Sequence, residues 1–131
     1  LQKVASGGEL SRISLCIQVV TATNSQTPTL VFDEVDVGIG GPTAEIVGRM
    51  LRQLGEKTQI LCVSHLAQVV SQAHDHLFVS KTVHAGKTCS SVTRLDREAR
   101  IREVARMLGG VDLSQQGLAL ATEMLSFGSL Q

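Results

Sequence analysis

Two short apolar runs, each closed by polar chemistry, constrain this chain more than any other feature. Thr29 to Phe32 (T-L-V-F) runs into Asp33 and Glu34, and Thr58 to Val63 (T-Q-I-L-C-V) runs into Ser64 and His65. Short apolar runs bounded by turn residues read as buried strands. Between them, Pro42 to Leu54 sets Val47, Met50, Leu51 and Leu54 on one helical face, with Pro42 suited to the first turn and Gly55 to the stop. Strand, helix and strand over this length predict a right-handed β-α-β unit, whose parallel strands end on one edge of a sheet. Ligands of open α/β sheets bind at that carboxyl edge, so the paired acids and the Ser-His pair are predicted to share a site.

Upstream, Ser6 to Arg12 reads S-G-G-E-L-S-R and opens a run with apolar positions at Leu10, Ile13, Ile17 and Val20. This predicts a helix over about Gly7 to Thr23 that Ser6 can cap, while Gly7 and Gly8 put no side chain in front of its amides. Such an end attracts anions, phosphate above all. Asn24 to Pro28 reads as a loop, and V-D-V-G-I-G-G-P after Glu34 as a Gly-rich loop built for close approach. Downstream, Leu66 to Gln72 predicts a short helix, and Leu77 to Val83 with Thr88 to Leu95 a hairpin across His84 to Lys87. Arg97 to Leu108 predicts a charged helix with Ile101, Val104, Ala105 and Leu108 inward, stopped by Gly109 and Gly110. Ser114 to Leu125 predicts a last helix, and Phe127 to Gln131 a frayed tail.

Composition narrows the partners. The 131 residues suit one modest domain, and 43% hydrophobic content suffices for a core. Aromatic content is 2%, so base stacking on aromatic rings has little to work with. Twelve basic residues balance twelve acidic ones, so no global field draws the chain to DNA or an anionic membrane. Cys16, Cys62 and Cys89 include no C-x-x-C pair, and Cys16 and Cys62 are expected to pack as small core residues in a reducing cytoplasm. No run is long and apolar enough to span a bilayer, so no membrane is expected. A start at Leu1, directly before a motif, suggests a piece of something longer.

In this order, S-G-G-E, an apolar strand ending D-E, a Gly-rich loop and an apolar strand ending S-H resemble the carboxyl-terminal lobe of an ABC-type (P-loop NTPase) ATPase head. The resemblance covers most of the chain. A-S-G-G-E-L-S-R, F-D-E-V-D-V-G-I-G-G and R-E-V-A-R-M-L-G-G look like the RecN family, bacterial ATPases of the SMC class acting in DNA double-strand-break repair. That likeness implies an α/β fold, mainly parallel sheet with flanking helices and a β-hairpin, over residues 1–131.

It also implies roles. Ser6, Gly7, Gly8 and Glu9 match the signature motif, which contacts the γ-phosphate of ATP held by the opposite head. Asp33 matches the Walker B aspartate that helps hold Mg²⁺ through water. Glu34 matches the catalytic glutamate that polarises the attacking water, and His65 the switch histidine that touches the γ-phosphate. Asp36, Gly38, Gly40 and Gly41 match the loop along the dimer seam, though Gly40 stands where many such proteins carry aspartate. No G-x-x-x-x-G-K-[ST] and no Q-loop are present, so the chain reads as half a site. The partners implied are its own amino-terminal Walker A lobe, a second head, and DNA through the full-length protein. A bacterial, nucleoid-associated location is implied too.

Two rivals predict otherwise. The nucleotide-binding domain of an ABC transporter predicts L-S-G-G-Q and a proline after the glutamate, where this chain has Ala5, Glu9 and Val35. A docking or dimerisation lobe without activity predicts decayed motifs, whereas Asp33, Glu34 and His65 are intact. His74, Asp75 and His76 read as surface residues rather than metal ligands, and Met50, Met107 and Met124 as core. With Asp96, Glu98 and Glu103 interleaved, Arg94, Arg97, Arg100, Arg102 and Arg106 read as a solvated face. A lobe without its partner should expose apolar surface.

Overall fold

The computed structural model describes residues 7–23, 27–33, 35–109 and 113–127. Ser6, Glu34, the Asn24 to Gln26 part of the first loop, Gly110 and the end of the tail lie outside them. The elements run α1 (Gly7–Thr23), β1 (Thr29–Phe32), α2 (Gly41–Gly55), β2 (Gln59–Cys62), α3 (Ala67–Val70), β3 (Leu77–His84), β4 (Lys87–Arg94), α4 (Arg97–Gly109) and α5 (Gln115–Phe127).

β1 and β2 pair in parallel, with Thr29 opposite Gln59 and Phe32 opposite Cys62. Alternation sends Leu30, Phe32 and Ile60 to the core side and leaves Val31 and Leu61 exposed. The pairing continues past the strand ends, where the Val63 amide donates to the Phe32 carbonyl at 2.8 Å. At the other end Thr58 Oγ1 donates to the Pro28 carbonyl at 3.0 Å. β3 and β4 pair antiparallel around a two-residue turn, Ala85 and Gly86, both with positive φ (49° and 75°) as so tight a connection requires. The α/β class and the hairpin are as expected. The parallel part, however, is one four-residue pair, and the eight-residue antiparallel hairpin is longer, so among the described residues the strands are not mainly parallel.

The core has two clusters. In one, Leu15, Val19 and Ala22 of α1 meet Phe32, Val35 and the Ala44, Val47, Leu51 and Leu54 face of α2. In the other, Ala67 meets Val104 and Ala105 of α4 and Ala121 of α5. Short α3 joins them, because Val69 belongs to the first cluster and Ala67 to the second. Met50, Met107 and Met124 are half-buried against these clusters. On α1 the apolar positions noted in the sequence point away from the core: Leu10, Ile13, Ile17 and Val20 are all more than half exposed. The expectation of uncovered apolar surface is met there. Cys16 and Cys62 are exposed rather than the core residues expected, Cys16 because it lies off the α1 face that Leu15 and Val19 bury; Cys89 is exposed too.

Arginines brace the segment after α3. Arg52 donates to the Gln72 carbonyl at 2.7 Å, and Arg100 to the carbonyls of His74 at 3.1 Å, Val70 at 3.2 Å and Ala73. Arg100 is thus half-buried and structural, not part of a solvated face, whereas Arg102 and Arg106 do pair with Glu98 and Glu103 on their own helix. His74 and Asp75 are exposed as expected, but His76 is half-buried, and its burial beside Arg100 lowers its pKa.

Gly48 lets α2 and α3 approach. A Cβ there would lie 2.9 Å from the Gln68 carbonyl oxygen and 3.1 Å from Val69 Cα. Both are backbone atoms, so relief requires moving a helix. Gly48→Ala gains about 1 kcal/mol of helix propensity, yet the overpacking is expected to win and leave a net loss of about 1–2 kcal/mol. Urea unfolding midpoints of the two proteins check this.

Candidate nucleotide site

The parallel register carries both strand ends to one edge. Asp33 leaves β1 directly after Phe32, and Ser64 and His65 follow β2 two and three residues beyond Cys62, its partner. Asp33 is exposed there. An exposed carboxylate at a strand end fits a Mg²⁺ ion held mostly by water and substrate phosphate, the usual manner for that ion. Among the described residues no cluster of three or more His, Cys, Asp or Glu is placed to hold a metal. Glu34 lies outside the described residues.

Past Asp33 the chain makes a turn in which Val35 and Asp36 are buried and Val37 and Gly38 exposed. The Ile39 amide donates to the Asp36 carbonyl at 3.2 Å, and Gly38 takes a φ of 74°, which glycine adopts without penalty. Gly40 is extended and caps α2, Gly41 has a φ of 50°, and proline follows in the first turn. Gly38, Gly40 and Gly41 are exposed, so this rim is open to a partner.

Asp36 is not on that rim. Its carboxylate turns inward, with the side chain 2% exposed, and its Oδ2 faces the loop after β2. Ser64 Oγ donates to it at 2.5 Å, the His65 amide at 2.6 Å and the Leu66 amide at 3.2 Å, and His65 Nδ1 lies 3.0 Å away. Ser64 Oγ in turn accepts from the Leu66 amide at 3.1 Å. Burial pushes the Asp36 carboxyl up, but the Ser64 hydroxyl, the backbone donors and the His65 charge together outweigh it and hold it below its ordinary value. The His65 side chain, by contrast, is 75% exposed. Although Cys62 is exposed as a residue, partial desolvation of its thiol, with the charges of Asp36 and Asp33, pushes it up to about 11, so it is protonated at neutral pH.

The structure therefore brings Asp36 and His65 together and sets Asp33 beside them on the same edge. Gly7, Gly8 and Glu9 form the first turn of α1, and Ser6 lies outside the described residues. Sequence reasoning gave Ser64 no role beyond its place after the strand. The available signal was an acid in the loop after one strand and a Ser-His pair after its parallel neighbour.

Comparison with known proteins decides the family. Over 125 residues, 95% of this chain, it is 58% identical to the DNA repair protein RecN of Vibrio cholerae and 53% identical to that of Haemophilus influenzae. This chain is a segment of RecN type. It spans 23% and 22% of the length of those two RecN proteins. No family model matches it. A solved chain from work on ATP-driven dimerization and DNA stimulated activation of SMC ATPases superposes with a TM-score of 0.66 at 18% identity, covering 82% of this chain and 65% of that one. That likeness shows the fold of this RecN segment. Among its described residues no helix is long and apolar enough to cross a membrane.

Removing the Asp36 carboxylate leaves buried donors unpaired, so Asp36→Ala is expected to cost about 3 kcal/mol at neutral pH. Because the native pKa is lowered, that stability is fully present above the ordinary value of 3.8 and is lost as pH falls through the lower native value. Urea titrations at a series of pH values should show the gap between native and Asp36→Ala proteins narrowing only on the acid side.

Proposed function

We propose that this segment is the carboxyl-terminal lobe of a RecN ATPase head, which hydrolyses ATP in DNA double-strand-break repair once joined to an amino-terminal lobe and paired with a second head. The observation that carries this is the identity to RecN proteins over 95% of the chain, and the departure of Asp33 and His65 from one edge of a parallel strand pair supports it. The structural neighbour adds support through the ATP-driven dimerisation named for SMC ATPases.

In this reading Ser6, Gly7, Gly8 and Glu9 contact the γ-phosphate of ATP held by the opposite head, since amides at a helix start suit an anion. Mg²⁺, held in part by Asp33, supplies charge neutralisation on the phosphates. Glu34 orients and polarises the attacking water, and His65 contacts the γ-phosphate. Phosphoryl transfer needs mostly such placement and charge compensation, which loop groups on a stiff strand edge provide. Gly38, Gly40 and Gly41 run along the seam between heads. Hydrolysis opens the pair and changes its grip on DNA.

Steady-state ATP hydrolysis by the full-length protein tests this. Turnover per head should rise with protein concentration, and Glu34→Gln should lower kcat by about a hundredfold or more while ATP still binds. Native turnover in Glu34→Gln would remove the assigned role.

The exposed stripe of α1 suits packing against the rest of the head. Ile13→Gln with Ile17→Gln should change the stability of the isolated segment by no more than about 0.5 kcal/mol each, as exposed substitutions do. In the full-length protein the same pair should lower the melting temperature and turnover together, which scanning calorimetry and the ATPase assay read.

A further inference from the structure

The seam loop and the switch histidine belong to different strands, yet one carboxylate holds them together. An aspartate buried only to brace a loop needs amides and a hydroxyl, and Asp36 has these from Ser64, His65 and Leu66. It does not need an imidazole whose side chain is otherwise 75% exposed. Nδ1 lies 3.0 Å from Asp36 Oδ2, so the buried carboxylate holds the Nδ1 edge of an otherwise exposed ring, and Nε2 is the nitrogen left for a ligand.

We propose that Asp36 is the positioning residue for His65, anchoring Nδ1 so that Nε2 is presented as a donor to the γ-phosphate of ATP. This rests on the reading of His65 given above. A phosphate oxygen only accepts hydrogen bonds, so Nε2 must carry a proton to meet it. Asp36 Oδ2 lies 3.0 Å from Nδ1, so in the productive arrangement the ring stands between two acceptors, the carboxylate behind it and the phosphate before it. The aspartate of a hydrolytic triad orients its imidazole in the same way. Asp36 also lies in the turn that leads into Gly38 and the seam. A shift of that turn when two heads meet is therefore passed directly to the ring, and hydrolysis becomes sensitive to pairing.

The test uses full-length protein with Mg²⁺ and ATP, comparing native, Asp36→Asn, Ser64→Ala, His65→Ala and the two double variants that combine Asp36→Asn or Ser64→Ala with His65→Ala. Asp36→Asn keeps the shape and removes the charge. Its kcat should fall by about a hundredfold with KM within about threefold, since the residue does not touch ATP. In the His65→Ala background the same substitution should cost nothing more, because both changes remove one unit. Ser64→Ala, which loosens the carboxylate but keeps its charge, should give a smaller fall in kcat that likewise vanishes without His65. Where Asp36→Asn does not melt cooperatively by circular dichroism, Ser64→Ala carries the comparison. If the losses of Asp36→Asn and His65→Ala multiply, or if His65→Ala lowers kcat and Asp36→Asn does not, Asp36 acts on the loop alone and the proposal fails while the role of His65 stands. If His65→Ala turns over like the native protein, both fall.

Discussion

A carboxylate taken out of water must be met by enough donors to replace its hydration, and at Asp36 the donors come from a different loop of the chain. Ser64 Oγ and the amides of His65 and Leu66 converge on one oxygen. The two loops are therefore held at a fixed separation. That convergence depends on the parallel register of β1 and β2, since sliding Phe32 off Cys62 by one residue would turn alternate side chains over and carry Ser64 away from Asp36. The site is built on the strand pair and closed by this one charge.

The rest of the segment keeps that edge in place. α2 lies close to α3 because Gly48 carries no side chain, and the first residues of α3 follow directly on the loop that Asp36 holds. Arg52 and Arg100 then tie the carbonyls beyond α3, so the joint between the two core clusters is braced from both α2 and α4. Hydrogen bonds from charged donors to carbonyls are stronger than neutral ones, which suits a four-residue helix that has few internal bonds of its own.

The apolar surface left open on α1 and on the outer face of β1 and β2 bears on the same question. Val31, Leu61 and Val63 are exposed on a strand pair whose other face is core. Apolar patches of this kind mark surfaces that pack against something further. The segment spans 23% of the length of the Vibrio cholerae RecN protein, and these uncovered faces are surface on which further structure can pack.

Much of this was legible in the residues. Both short strands and α1 stand where the apolar runs placed them, because the extent of such elements is set locally by periodicity. The motif order and its likeness to RecN were readable for the same reason. Local pattern could not say which side of α1 is covered, since Leu15, Val19 and Ala22 make as good a helical stripe as Leu10, Ile13, Ile17 and Val20, and packing against α2 chose the first. Nor could it show that Arg100 leaves its charged helix to bind carbonyls. The partnership of Asp36 with Ser64 and His65 was likewise decided by tertiary structure, because residues nearly thirty positions apart meet only once two strands have paired in parallel.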